Sequence, residues 1–202
     1  MPRTLDENKE ALIIQSAKQL FGRFGYKKTT IEDIAQAAGI AKGTVYIYFS
    51  NKKRLLVRIG MQTLLESHEQ LQRELAHSDD VAWKIRQIIR GRVLAMHHFT
   101  EQFPDAVEMI PHLEQGELLQ DGGEQLFGIE ISMLQQALTQ GVEKGIFEVP
   151  NIPALIDHIC FMTHAFEPPY KRVSSFEELL RHVDLYTDTL LASISKGSEK
   201  SC

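Results

Sequence analysis

The chain has 202 residues, 43% of them hydrophobic, which suits one long helical unit or a small domain fused to a larger one, and no apolar run approaches the length of a membrane span. The formal net charge of −5 argues weakly against a nucleic-acid partner, but residues 1–60 hold 11 Lys or Arg against 5 Asp or Glu, whereas residues 61–202 hold 11 against 22. This asymmetry makes the N-terminal part basic and places any phosphate-facing charge there.

Two helical patterns are predicted at the start of the chain. The first helix runs from about Leu5 to Phe24, with apolar residues at helical spacing that can cover the elements after it. The second begins at Thr29 or Thr30, either of which can cap it, and ends at Gly39. Glycine adopts the left-handed conformation without a steric penalty, so the chain can reverse there within three or four residues.

A third short helix is predicted from Lys42 to Phe49. Val45 and Phe49 are four residues apart and can pack inward together. The opposite side then carries Lys42, Thr44, Tyr46 and Ile47. A recognition helix needs this division between a buried and an exposed face, so the stretch reads as a helix-turn-helix.

The same stretch resembles the DNA-binding end of the tetracycline-repressor (TetR) family of bacterial transcriptional regulators. The resemblance covers about the first 55 residues. It rests on Leu20, Phe21, Gly25, Tyr26, Thr30, Asp33, Ile34, Ala35, Gly39, Lys42, Gly43, Thr44, Tyr46, Tyr48, Phe49 and Lys52. Two positions depart from the family pattern. Ala41 stands where a capping Ser or Thr is common, and Ile47 stands where a polar or aromatic residue is common.

The resemblance implies roles for individual residues in binding double-stranded DNA. Contacts to base edges or nearby sugar-phosphate are assigned to Lys42, Thr44 and Tyr46, with Gly43 permitting close backbone approach. Ile47 either touches a thymine methyl group or packs within the protein. Phosphate contacts are assigned to Thr30, Tyr48 and Lys52, and the alternative for Tyr48 is a core aromatic beside Phe49.

The rest of the chain is predicted to be helical, which makes the fold all-α. Pro and Gly residues separate helices at about Lys52–Ala76, Asp80–Phe99, Phe103–Leu113, Gly122–Lys144, Ile152–Phe166 and Ser175–Ser195. We therefore predict a three-helix helix-turn-helix domain over residues 1–54, a larger helical effector-binding and dimerisation domain over 55–195, and a flexible tail over 196–202. The helix that starts at Lys52 links the two domains.

The resemblance also implies a homodimer and a small-molecule effector. The segments 152–166 and 175–195 carry a wide apolar stripe, which suits a dimer interface, although both could pack inward on one chain. A two-fold dimer reads an inverted-repeat operator. The candidate effector-binding residues suit an apolar or aromatic compound and are Met96, Phe99, Phe103, Met109, Phe127, Met133, Phe161 and His164. Ordinary core packing is the alternative for each.

We therefore expect a ligand-responsive regulator, by default a repressor, that the effector releases from DNA. No phosphate loop, nucleophile elbow or diagnostic metal spacing occurs, so we predict no enzyme activity, no cofactor and no metal. The N-terminus lacks the apolar segment of a signal peptide, so we expect a cytoplasmic protein. Cys160 is expected to be a core thiol, with redox sensing as the alternative. The rival function is a ligand-binding or interaction module with vestigial DNA binding.

Overall fold

The computed structural model describes residues 6–105, 108, 124–166 and 173–197. Within them lie eight α-helices, which confirms the all-α prediction. They are α1 (Glu7–Phe24), α2 (Ile31–Ala37), α3 (Lys42–Tyr48), α4 (Lys52–Leu75), α5 (Val81–Gln102), α6 (Glu124–Glu143), α7 (Ile152–Thr163) and α8 (Phe176–Ile194). A 3₁₀ turn, His164–Phe166, follows α7. None of the described helices is long and apolar enough to cross a membrane.

The helix boundaries follow the predicted ones to within a few residues. The largest differences are three residues: α7 ends at Thr163 and not at Phe166, and α5 continues past Phe99 to Gln102. The backbone N–H of Phe103 still donates to the carbonyl oxygen of Phe99 at 2.9 Å. Pro104 comes next, and a proline has no N–H with which to extend the helix. The predicted helix over 103–113 lies mostly outside the described residues.

The chain divides into two compact units. The first consists of residues up to Thr63 together with the segment that begins at His98. The second consists of Leu64–His97 and the residues from Gln125 onward. Helices α4 and α5 each contribute residues to both units. The functional boundary between residues 54 and 55 stays a prediction.

The first unit holds the three N-terminal helices around one core. Asp6 caps α1, since its carboxylate accepts the backbone N–H of Asn8 at 3.0 Å. The side chains that are almost fully buried between the helices are Ile13, Ala17, Phe21, Ile34, Val45, Phe49, Leu55 and Ile59. These residues come from all four of α1 to α4, so the short α2 and α3 are held by packing that neither could supply alone.

The second unit has a core built from α4 to α8, made mainly of Ile, Leu and Val. Gly141 allows a close approach in this core, because a Cβ at this position would lie 2.0 Å from a ring carbon of Phe147. Gly145 then adopts a φ of 68°, which turns the chain after α6. The backbone N–H of Glu148 donates to the carbonyl oxygen of Ile194 at 2.7 Å, and this bond ties the turn to the end of α8.

Candidate nucleic-acid interface

Helix α2 is fixed at its start by a reciprocal capping box. The backbone N–H of Asp33 donates to the hydroxyl oxygen of Thr30 at 3.1 Å, and the backbone N–H of Thr30 donates to the Asp33 carboxylate at 2.9 Å. At the other end, Gly39 has a φ of 65° and Ile40 donates to the carbonyl oxygen of Ala35 at 3.0 Å. The turn predicted between α2 and α3 is therefore formed by the residues expected to form it.

Helix α3 is anchored by one face and presents the other. Val45 is fully buried and Phe49 is 4% exposed, as the spacing predicts. Tyr46 and Ile47 are 47% and 59% exposed, although side chains of this size are usually buried. Ala41 occupies the N-cap position and makes no side-chain cap. The start of α3 therefore lacks the side-chain cap that a Ser or Thr at this position would supply.

Gly43 lies in the first turn of α3, one helical turn before Ile47. Apart from its chain neighbours and the backbone of its own helix, no described atom lies within 4 Å of a Cβ built on Gly43. The helix surface at Gly43 is therefore open, and its backbone can be approached closely from outside. Gly43 and Ile47 are four residues apart and so lie on one side of the helix.

Lys42 lies at the start of α3 and is paired with a carboxylate of the preceding helix. Its ammonium group donates a hydrogen bond to Glu32, in the first turn of α2. This bond raises the pKa of Lys42 and lowers the pKa of the Glu32 carboxyl. Both side chains are exposed, so the bond can open at low cost. A base contact by Lys42 requires that it opens.

The hydroxyl groups of Thr30 and Tyr48, both assigned to phosphate, differ in whether the proton can be donated to a phosphate oxygen. The hydroxyl of Thr30 donates to the Asp33 carboxylate at 2.7 Å, so its proton is used within the capping box. Tyr48 is half-buried, and its phenol oxygen accepts the backbone N–H of Asp6 at 3.1 Å. The phenol O–H of Tyr48 can therefore still donate a hydrogen bond to a phosphate oxygen.

Lys52, in the first turn of α4, points its ammonium group at the loop between α1 and α2. It donates to the carbonyl oxygens of Tyr26 at 2.7 Å, Thr29 at 2.8 Å and Lys27 at 3.4 Å. Its nitrogen also lies 4.4 Å from the centre of the Tyr26 ring. Burial lowers the pKa of Lys52. Sequence reasoning missed this role, because the carbonyl partners lie more than twenty positions earlier in the chain.

The candidate effector residues are divided between the two units and the surface. Phe99 and Phe103 are buried in the first unit, with ring centroids 5.3 Å apart. In the second unit Met133 is buried, whereas Met96 and Phe127 are half-buried. Phe161 is 74% exposed and His164 is also exposed. Met109 lies outside the described residues.

The second unit also contains buried polar groups that the sequence reasoning did not single out. Arg92 of α5 donates to Glu130 of α6 at 3.0 Å, and their side chains are only 10% and 3% exposed. In the sequence, the one signal for this pair is that each charged residue interrupts an apolar stretch. Arg92 lies in IIRGRVL and Glu130 lies in FGIEISML. Cys160 is half-buried; burial raises its pKa most, and the charge of Glu130 raises it further.

Two further polar atoms are buried in the second unit without a hydrogen-bond partner among the described residues. They are Nε2 of His68 and the hydroxyl oxygen of Tyr186. The other ring nitrogen of His68 is 2.8 Å from the carbonyl oxygen of Leu64, so in the neutral ring this nitrogen carries the proton and Nε2 is an acceptor. Buried polar groups usually have a partner, which makes these two atoms candidates for contact with a bound molecule.

Comparison with known proteins agrees with the geometry of the N-terminal unit. The family model described as "Bacterial regulatory proteins, tetR family" matches residues 13–59. The HTH-type transcriptional regulator TtgR from Pseudomonas putida is 38% identical over 81 residues, which are 39% of this chain and 38% of the relative. The alignment therefore spans less than half of that relative's length.

Longer matches reach the second unit. The fatty acid metabolism regulator protein of Bacillus subtilis is 28% identical over 138 residues, covering 66% of this chain and 68% of the relative. The crystal structure of the transcriptional regulator FadR from Bacillus subtilis, in complex with stearoyl-CoA, matches with a TM-score of 0.63 and 20% identity over 91% of this chain and 98% of that one. Both curated relatives, TtgR and the fatty acid metabolism regulator protein, are named as regulators.

Proposed function

The chain belongs to the tetR family of bacterial regulatory proteins, and from this premise we propose that it binds an inverted-repeat operator as a homodimer and releases it when a small molecule binds. Repression is the default sense, and the cytoplasm is the compartment in which such a protein meets DNA. The observation that carries the proposal is the face of α3, where Tyr46 and Ile47 are exposed beside the open surface of Gly43. A major groove is wide enough to admit a helix presented in this way.

Electrostatics support the same surface. The net charge of residues 1–60 is positive, and phosphate contacts supply most of the affinity of proteins for DNA. The contact set we propose is Lys42, Gly43, Thr44, Tyr46, Ile47 and Tyr48. We propose that Thr30 and Lys52 act indirectly, by fixing the start of α2 and the loop before it.

The dimer is proposed to form through α7 and α8, but through a narrower apolar patch than the sequence suggested. Seven apolar residues of these helices are buried in the unit's own core, namely Ile156, Ile159, Leu179, Val183, Leu190, Leu191 and Ile194. Phe161 on α7 and Leu185 on α8 are 74% and 63% exposed. We propose that a second copy of the chain covers these two side chains.

The effector is proposed to combine an apolar part with a hydrogen-bonding group, and to bind in the second unit. Half-buried Met96 and Phe127 suit the apolar part. Nε2 of His68 and the hydroxyl of Tyr186 suit the polar group. Because the fatty acid metabolism regulator and FadR with stearoyl-CoA are among the relatives, long-chain acyl-CoA is the first compound to test. Binding of effector and DNA would oppose each other by the same coupling free energy.

The test is selection of bound duplexes from a random pool by the purified protein at defined salt. Enrichment of an inverted repeat is expected, and Tyr46→Ala should change or abolish it. Addition of stearoyl-CoA to the enriched duplex then tests release. If a folded dimer enriches no sequence, that result supports the alternative function, a ligand-binding module with vestigial DNA binding. The uncapped start of α3 and the pairing of Lys42 with Glu32 are the features that favour that alternative.

A further inference from the structure

We propose that the half-site is read chiefly through the methyl groups of thymines, which contact an apolar surface of α3 formed by Tyr46 and Ile47. The inference rests on the proposed function, because it concerns the bases that the same helix meets. It specifies which class of base contact sets the sequence preference: van der Waals contact with the 5-methyl group in the major groove.

The side-chain inventory of α3 excludes most other kinds of readout. Bidentate recognition of guanine uses Arg or Lys, adenine is read by Asn or Gln, and cytosine donates to Asp or Glu. The seven residues of α3, KGTVYIY, include Lys42 and no other member of this set. Lys42 in turn is hydrogen-bonded to Glu32. Guanine readout therefore has to compete with an existing ion pair.

Two large hydrophobic side chains of α3 are exposed. Ile47 is the most exposed residue of the helix among its large hydrophobics, at 59%, and Tyr46 follows at 47%. Thr44 is half-buried, so its hydroxyl is a secondary contact. An isoleucine has no hydrogen-bonding group, so in a groove lined by polar base edges the thymine methyl is the group it can contact favourably.

The glycine next to this surface allows the contact to be close. Gly43 precedes Ile47 by one turn, and no described atom other than its chain neighbours and its own helix backbone lies within 4 Å of where its Cβ would stand. The first turn of α3 can therefore come near the groove floor, where the methyl group projects. Burying one methyl group corresponds to about fourfold in affinity. One contact in each of two half-sites thus predicts a loss of more than about tenfold when both methyl groups are removed.

The experiment replaces thymine by deoxyuridine, which deletes the methyl group and keeps the base pair. In the duplex enriched from the random pool, each thymine is replaced singly and then in symmetric pairs, and affinity is measured at fixed salt. We expect about fourfold loss at one or two positions in each half-site, and little elsewhere. In Ile47→Ala the same replacement should have little further effect, because the side chain that contacts the methyl group is gone.

The matched control is Ile131→Ala, which removes an exposed isoleucine from α6 in the second unit. This variant should keep the full sensitivity to deoxyuridine. Specific binding that is indifferent to every thymine methyl group overturns the inference and leaves the proposed function intact. So does a dependence on guanine N7, measured with 7-deazaguanine, that disappears in Lys42→Ala. If no duplex is enriched, the proposed function itself fails, and the inference fails with it.

Discussion

The ammonium group of Lys52 donates a 2.7 Å hydrogen bond to the carbonyl oxygen of Tyr26 and thereby joins the start of α4 to the loop between α1 and α2. A second bond, at 2.8 Å, reaches the carbonyl oxygen of Thr29, directly before the cap of α2. A lysine ammonium has three donors, and these bonds use at least two of them within the protein. The geometry thus favours a positioning role for a side chain that the sequence resemblance assigns to phosphate.

Lys52→Ala should therefore act on the fold of the first unit more than on the charge of the interface. Removing hydrogen bonds from a charged donor is expected to lower the free energy of unfolding by about 1.5–3 kcal/mol. The measurement is urea denaturation, with Lys28→Ala as the control, since Lys28 is an exposed lysine of the same loop. Operator affinity should fall with an unchanged salt slope. A stable Lys52→Ala protein whose slope is lower by about one unit would instead identify a phosphate contact.

Gly43→Ala should change stability and DNA affinity in opposite directions. An alanine fits at this position in the free protein, and a helix interior gains about 0.5–1 kcal/mol from the replacement of glycine. The added methyl group would occupy the space through which DNA approaches, so affinity should fall. Gly22→Ala in α1 is the control, because a Cβ at Gly22 likewise meets no described atom within 4 Å beyond its chain neighbours and its own helix backbone. It should stabilise the protein and leave DNA affinity unchanged. A Gly43→Ala protein with wild-type affinity would show that α3 does not approach DNA closely there.

The buried pair of Arg92 and Glu130 should behave as one unit. Glu130→Leu removes the carboxylate partner of the buried Arg92 guanidinium. It should lower the free energy of unfolding by about 3–5 kcal/mol. Arg92→Met should cost a similar amount. The double variant removes both charges, so much of the loss should be recovered. Thermal denaturation of the four proteins gives the coupling energy. Strictly additive losses would mean that the two side chains stabilise the second unit independently.

Asp33 should make the stability of the first unit depend on pH in the acid range. The hydrogen bonds from Thr30 hold the pKa of the Asp33 carboxyl below its ordinary value. A carboxyl whose pKa is lower in the folded state stabilises that state above its unfolded pKa of about 4, and the effect is lost as pH falls through the lower, folded value. Asp33→Ala should therefore be less stable than wild type at pH 7, and the difference should shrink as pH falls from about 4 through the lower, folded pKa. A difference that stays constant down to pH 3 would contradict this assignment.

The sequence predicted what local signals encode. Of the two threonines predicted as possible caps, Thr30 caps α2, Gly39 adopts the expected turn conformation, and Val45 is buried as its spacing required. Contacts between distant positions could not be read in this way. Arg92 and Glu130 are 38 positions apart, and nothing in either local pattern identifies the other as its partner.

Burial was the other property that the sequence left open. An apolar residue at helical spacing can face either the unit's own core or a partner. In α7, Ile156 and Ile159 face the core, whereas Phe161, two positions later, is exposed. The effector role predicted for Phe161 stays a prediction. Only the packing of the neighbouring helices separates these cases, because periodicity fixes the relative direction of side chains and not what lies opposite them.

Leu185→Arg should convert the proposed dimer to a monomer with its fold retained. Leu185 is 63% exposed, so the free chain accommodates an arginine, whereas a dimer interface would have to bury its charge without a partner. We expect the dimer dissociation constant, measured by analytical ultracentrifugation, to rise at least about 100-fold, equivalent to about 2.7 kcal/mol. Phe161→Arg should do the same, and Ile131→Arg, at an exposed site on α6, should remain dimeric. Operator affinity should fall as the dimer is lost, because a monomer meets one half-site at a time. If both Leu185→Arg and Phe161→Arg dimerise as wild type does, the interface lies on another surface.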